Sequence, residues 1–231
     1  MKIQNILTIY MVTLAHCAFS QKIVEKTINI SNQKSINLKF NQADLIKIIG
    51  WDKNEIQFKA SIDLNGGALN DSLHLFFEEG NEEIHIYSQI DESFRNWISK
   101  RNYTEENGRN YYWGKNEKFV ISEIIYELKI PKKLLANLKT INGDIELKNL
   151  DKSINAKTIN GFIDIDWNPT VGAYFEMKTI NGELYSNLDK IEFTNKKEHP
   201  IVGYLLKGTY KSGKMPITLK TINGNIFLRK R

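Results

Sequence analysis

A four-residue phrase, Thr-Ile-Asn-Gly, occurs four times in the chain, at Thr140-Ile141-Asn142-Gly143, Thr158-Ile159-Asn160-Gly161, Thr179-Ile180-Asn181-Gly182 and Thr221-Ile222-Asn223-Gly224. A lysine precedes every copy (Lys139, Lys157, Lys178, Lys220), and two residues after every glycine stands an aliphatic side chain: Ile145, Ile163, Leu184 or Ile226. From asparagine to asparagine the steps are 18, 21 and 42 residues, the last being twice 21. A fixed period of about 20 residues marks stacked supersecondary units rather than an irregular globule.

With the asparagine as origin, positions −6 and −4 hold Ala136/Leu138, Ile154/Ala156, Phe175/Met177 and Ile217/Leu219. Positions +3 and +5 hold Ile145/Leu147, Ile163/Ile165, Leu184/Ser186 and Ile226/Leu228. Polar residues alternate with them, so every unit reads as strand, Asn-Gly corner, strand. Glycine takes positive φ freely and asparagine tolerates it better than most residues, so this pair turns the chain tightly. Two arrangements satisfy the pattern: separate hairpins with two-residue turns, or coils stacked at ~4.8 Å in which like residues form columns. Four near-identical corners, at Asn142-Gly143, Asn160-Gly161, Asn181-Gly182 and Asn223-Gly224, favour the stack, because hairpins tolerate varied turns and stacked coils do not. Threonine at −2 and isoleucine at −1 cannot both face inward on a regular strand, so a bulge or bend is expected at the corner.

The midpoint of the 42-residue step, Ile201-Val202-Gly203 with Leu205 beyond it, reads as a degenerate fifth corner. Stacked lysines repel one another. Asp144, Glu146, Asp164, Glu176 and Glu183 stand nearby in sequence, and the expectation is a solvated face of mixed charge. Arg229-Lys230-Arg231 follows the last strand, a charged end that discourages end-to-end pairing.

Upstream, Ile36/Leu38/Phe40, Ile46/Ile48, Ile56/Phe58/Ala60, Leu73/Leu75/Phe77 and Ile84/Ile86 alternate with polar neighbours, and breaks fall at Gly50, Asn65-Gly66-Gly67 and Gly80-Asn81. This half is all-β with less regular spacing. Residues 88–118 interrupt it with a polar segment that carries Phe94, Trp97, Tyr103, Tyr111, Tyr112 and Trp113, and 91–100 could form a short helix. An insertion of this length is a cap over the core or a contact surface. Trp97, Tyr111, Tyr112 and Trp113 are its candidate contacts for sugar rings or a partner protein. Strand alternation returns at Phe119/Ile121 and Ile124/Tyr126/Leu128/Ile130, and Pro131 closes that strand.

The chain opens with Met1-Lys2, an apolar run from Ile6 to Ala15, and Ala18-Phe19-Ser20 before Gln21, the layout of a secretory signal peptide cleaved after Ser20. Its apolar run is too short to anchor in a membrane. Cys17 is preceded by His16 rather than by a small residue, which argues against lipidation. Removal of residues 1–20 takes away Cys17 and Lys2, leaving a cysteine-free chain of 21–231 whose formal charge falls from +5 to +4. Disulfides and thiolate metal sites are then excluded. Export makes nucleic acid an implausible partner; an envelope protein or an anionic surface glycan suits the charge better.

The phrase Lys-Thr-Ile-Asn-Gly-Asp-Ile-Glu-Leu and its variants resemble a bacterial "putative adhesin" family of unknown function with Thr-(Val/Ile)-Asn-Gly repeats, related to the adhesin head domain called GIN. Gly50-Trp51-Asp52-Lys53-Asn54-Glu55-Ile56 is similar to a strand–turn–strand of that family, and so is the stretch from Tyr126 to Thr140. The resemblance covers most of 35–228 and departs in 88–118. It implies a single right-handed, single-stranded parallel β-solenoid over 21–231, with irregular N-terminal coils and regular repeats over 134–228. No catalytic or binding residue comes with it.

Chemistry is sparse. His74, His85 and His199 lack metal-ligand spacing, no nucleophile motif occurs, and no cofactor is implied. The pair to weigh is Glu146 and Asp164 at +4 of adjacent coils, whose separation of ~5 Å would suit a retaining glycosidase. Three readings follow. The favoured one is an exported, non-enzymatic, adhesin-like protein that binds a surface component. The alternatives are an envelope structural or stress accessory without ligand, and a glycan-active enzyme using Glu146 and Asp164.

Overall fold

The computed structural model describes residues 21–92, 102–106, 109–113, 120–194 and 203–231. The strands are β1 (Lys22–Asn29), β2 (Ser35–Trp51), β3 (Glu55–Leu64), β4 (Leu73–Glu79), β5 (Glu83–Ile90), β6 (Asn102–Glu106), β7 (Arg109–Trp113), β8 (Val120–Pro131) and β9 (Leu135–Lys148). They continue with β10 (Ile154–Lys157), β11 (Ile163–Trp167), β12 (Ala173–Thr179), β13 (Leu184–Ser186), β14 (Ile191–Phe193), β15 (Tyr204–Tyr210), β16 (Pro216–Lys220) and β17 (Ile226–Lys230). The described residues are all-β apart from a 3-10 turn at Asn70–Ser72, as the alternation predicts. Along β3, for example, Ile56, Phe58, Ala60, Ile62 and Leu64 are buried, and each residue between them is at least partly exposed.

Two long strands, β2 and β9, cross a corner and belong to two walls at once. Their first halves pair parallel at Ile36↔Ala136 and Leu38↔Leu138, and their second halves at Ile46↔Ile145 and Ile48↔Leu147. Wall one runs β4, β5, β2, β9, β10, β16, β12, β15, β14. Wall two runs β1, β3, β8, β2, β9, β11, β17, β13. Three aromatic pairs bridge the walls: Phe40 on Tyr126, stacked at 4.1 Å, Phe58 on Phe77 at 5.1 Å, and Trp167 on Phe175 at 5.4 Å. The inward positions −6, −4, +3 and +5 are buried in the first, second and fourth copies. Each such aliphatic side chain contributes about 1.5–3 kcal/mol of burial. In the third copy Leu184 is only half-buried and Ser186 is exposed.

The expectation of a wholly parallel, single-stranded solenoid is corrected in three respects. First, the sheet is mixed: β1–β3, β3–β8, β4–β5, β6–β7, β7–β8, β12–β15 and β14–β15 are antiparallel. Second, the copies do not stack in chain order. The fourth copy lies between the second and the third, because β16 pairs with both β10 and β12, and β17 with both β11 and β13. The charged residues after Ile226 therefore close an interior rung, not an end of the ladder. Third, Gly203 does not open a parallel coil: β15, which follows it, runs antiparallel against β12. Ile201 and Val202 lie outside the described residues, as do residues 1–20, Trp97 and most of the proposed helix at 91–100.

Candidate functional site

At the corner the threonine points in and the isoleucine points out. Thr140, Thr158, Thr179 and Thr221 are buried, and Ile141, Ile159, Ile180 and Ile222 are exposed by 41, 40, 37 and 37 %. The buried hydroxyls find backbone acceptors: Thr221 Oγ1 donates to the Gly161 carbonyl (3.0 Å) and Thr179 Oγ1 to the Gly224 carbonyl (2.8 Å). An amide ladder runs along the corner line. Asn181 donates to Asn223, Asn223 to Asn160 and Asn160 to Asn142, each at 2.7 Å, and Asn142 donates to Gln42 at 3.0 Å. Gln42 thus occupies a fifth corner that the sequence reading missed. Its signal was available, since Ile36/Leu38 and Ile46/Ile48 repeat the inward spacing of β9 with one extra residue. That residue is absorbed as a bulge between Gln42 and Leu45.

Glycine is demanded at the corner by close approach. A Cβ on Gly161 would lie 2.3 Å from the Gly143 carbonyl oxygen, one on Gly224 2.1 Å from that of Gly161, and one on Gly182 2.0 Å from that of Gly224. These residues, Asn142, Gly143, Asn160, Gly161, Asn181, Gly182, Asn223 and Gly224, are brought together as the seam of the fold.

Outside the seam, wall one displays three neighbouring columns. At −5 stand Asn37, Asn137, Asn155, Thr218 and Glu176; at −3, Lys39, Lys139, Lys157, Lys220 and Lys178; at −1, the four isoleucines. The lysines occupy five consecutive rungs, and the mixed charge expected around them is met in small part. Of the five acids considered, only Glu176 reaches the column, 2.5 Å from Lys220. Lys220, by hydrogen bond and charge, holds the Glu176 carboxyl below the usual range against its partial burial, and Lys207 and Lys157 add to this. Among the described residues Lys39, Lys139, Lys157 and Lys178 make no ion pair. At one end the column meets Tyr87, in register with Lys39 and stacked on Phe76 at 4.9 Å. Two shallow troughs, of about 290 and 370 Å³, follow the columns and share Asn137.

Wall two is different. Glu146 and Asp164 are adjacent in register, as the glycosidase pairing requires. Both are engaged, however: Asp164 accepts from Arg229 at 2.8 Å and Glu146 lies 3.2 Å from Lys148. The same column continues as Phe227 and then Tyr185, stacked at 5.2 Å, with Phe162 edge-on to Phe227 at 6.1 Å. A wider trough of about 430 Å³ crosses β1, β3, β8 and β2, lined by Lys26, Lys47, Lys59 and Lys129 with Glu25 and Glu127. Among the described residues no group of three or more His, Cys, Asp or Glu side chains is placed to hold a metal ion. No helix among them is long and apolar enough to cross a membrane. Of the aromatic contacts read from the sequence, Tyr111, Tyr112 and Trp113 belong to β7, whose backbone pairs with β6 and β8.

No family model matches the sequence, nor does any curated protein. Among solved structures, 92 % of the chain aligns with all of a "putative cell adhesion protein" from Clostridium sporogenes, at 10 % identity and a TM-score of 0.55, which is a likeness of fold. Alignments with a "putative adhesin" from Bacteroides fragilis (92 % of this chain, 98 % of that one, 10 % identity, TM-score 0.31) and one from Parabacteroides distasonis (91 %, 98 %, 9 %, 0.27) are too loose to carry an argument.

Proposed function

We propose that this is an exported, non-catalytic, adhesin-like protein that binds a component of the cell envelope or surface along wall one. The mature chain begins at Gln21, after a signal peptide of residues 1–20. The parallel rungs coil in the right-handed sense that crossovers between parallel strands almost always take. The observation that carries the reading is the line of Ile141, Ile159, Ile222 and Ile180, exposed on four consecutive rungs. Single exposed isoleucines are ordinary, but a contiguous file of them is a contact surface. Packing does not require it, since the core is filled by −6, −4, +3 and +5. The fold shared with the clostridial "putative cell adhesion protein" points the same way. Trp97, Tyr111, Tyr112 and Trp113 are proposed as a second contact.

Pull-down of the purified exported protein with envelope fractions of the producing cell tests this. Ile159→Ser combined with Ile222→Ser is expected to weaken capture at least tenfold with an unchanged circular-dichroism melt. Equal capture by this variant, or no capture of the wild type, overturns the reading. A further loss on replacing the four aromatic residues by alanine would place the second contact.

A further inference from the structure

We infer that the lysine column is a binding track for a linear anionic polysaccharide, laid along the ladder with one acidic sugar per rung. This names the ligand class of the surface-binding reading above and rests on it. Lys39, Lys139, Lys157, Lys220 and Lys178 stand in strict register on five neighbouring strands, hence at a repeat of ~4.8 Å. Like charges opposed on adjacent strands destabilise a sheet. The chain nevertheless repeats this one residue at every corner and sets a single carboxylate, Glu176, against it. The other acids of the repeats are turned to wall two, where Asp164 pairs with Arg229 and Glu146 with Lys148. The cationic charge of wall one is therefore a line, not a diffuse patch, and it is answered by a polymer whose own charges lie in a line.

The flanking columns fit a sugar chain better than a lipid surface or a nucleic acid. On one side, Asn137, Asn155 and Thr218 offer amide and hydroxyl groups for ring hydroxyls, while Asn37 is engaged, donating to Glu83 at 3.1 Å. Asn137 already bonds Asn37 at 3.0 Å. Asn155 Oδ1, buried beside the larger of these two troughs, has no hydrogen-bond partner among the described residues. On the other side the isoleucine file meets the apolar C–H edges of pyranose rings. The stacked pair Tyr87 and Phe76 closes one end of the track; the Tyr87 hydroxyl donates to Glu78 at 2.7 Å, so this end offers a terminal ring an aromatic face rather than a charge. The two troughs run beside Lys39, Lys139, Lys157 and Lys220, four of the five rungs, and leave the track open there, as a polymer requires.

Calorimetry with polygalacturonate, which carries one carboxylate per ring, tests the inference, with amylose as the neutral chain. Binding is expected to polygalacturonate alone, to strengthen with chain length up to about the number of lysine rungs, and to weaken steeply as salt rises. Lys139→Gln with Lys157→Gln should lower the affinity at least tenfold while the melting temperature stays level or rises, because repulsion is relieved. Lys59→Gln with Lys129→Gln removes equal charge from wall two and should leave the affinity within twofold. The inference is overturned if the two double variants bind alike, if amylose binds as well as polygalacturonate, or if anionic phospholipid vesicles or duplex DNA bind more tightly than polygalacturonate. If envelope capture persists while polygalacturonate fails to bind, this ligand class is wrong and the broader surface-binding reading stands.

Discussion

At the scale of the residue, the four positions of the Thr-Ile-Asn-Gly phrase divide the work of the corner. Threonine satisfies backbone carbonyls from inside, isoleucine faces out, asparagine links rungs by its amide, and glycine admits the neighbouring carbonyl. The glycine is the least replaceable. Gly161 has φ of +143° and its absent Cβ would sit 2.3 Å from a backbone oxygen that cannot swing away. Gly161→Val is therefore expected to cost on the order of 3 kcal/mol through combined strain and overpacking, whereas Lys157→Ala should stay within ~0.5 kcal/mol. Urea denaturation of both variants decides it, and equal costs would contradict the close approach. A second contrast concerns Asp144, whose Oδ1 accepts from the Phe162 N–H at 2.9 Å. Burial pushes its carboxyl above the usual range and Glu146 adds to this, while the Phe162 bond opposes it. A raised folded-state value means that ionisation of this carboxyl costs stability, and that cost is relieved as pH falls through the folded-state value. Asn225 makes the equivalent bond to the Glu183 N–H at 2.9 Å without a charge. Asp144→Asn should accordingly be as stable as the wild type or more so at pH 7, and Asp144→Ala should lose about 1 kcal/mol.

At the scale of the element, the unit of strand, corner and strand was legible because inward aliphatics, turn residues and buried threonines all recur at fixed offsets. The corner at Gln42 was legible only in its inward aliphatics, Ile36/Leu38 and Ile46/Ile48, since Gln-Ala-Asp replaces Asn-Gly-Asp in type and the bulge shifts the count by one. The chemistry of wall one was also misjudged from sequence. Acids close to the lysines along the chain lie beyond the Asn-Gly corner on the other wall, so proximity in sequence placed charges together that the corner keeps apart. Glu176 is the exception, and its pH behaviour follows from the shift. Its carboxyl is held below the usual range chiefly by the hydrogen bond from Lys220. The stabilisation is thus fully present above the ordinary glutamate value and is lost as pH falls through the lower, folded-state one. Both groups are substantially exposed, so the pair is worth no more than ~1 kcal/mol. Glu176→Gln should be less stable than wild type at pH 7 and indistinguishable from it once the pH lies below the folded-state value. A gap that persists there would assign Glu176 a role other than its charge.

At the scale of the whole molecule, the order of rungs decides how the fold is completed. Local pattern could not reveal that order, because every copy offers the same inward residues and the same corner to any neighbour. Only the pairings tell that β16 and β17 enter between β10/β11 and β12/β13. The consequence is a gap of one rung that persists until residues 216–230 arrive. Until then the Asn160 and Asn181 amides lack the partner that Asn223 supplies to both, and the backbone bonds from Gly161 to Asn223 and from Gly224 to Asn181 are unmade. Closure by such distant segments is slow, since the entropy of the intervening chain is lost before any of these contacts forms. Deletion of residues 211–231 should therefore abolish cooperative unfolding of the repeat rather than remove one outer rung. In the intact protein the amides of Leu219 and Ile226 should be among the slowest to exchange, although segments near the end of a chain are usually the first to fray. Hydrogen exchange followed by mass spectrometry reads both. Fast exchange across β16 and β17, or a truncated chain that still melts in one sharp transition, would show that the rungs close without them and that the fourth copy is an outer layer after all.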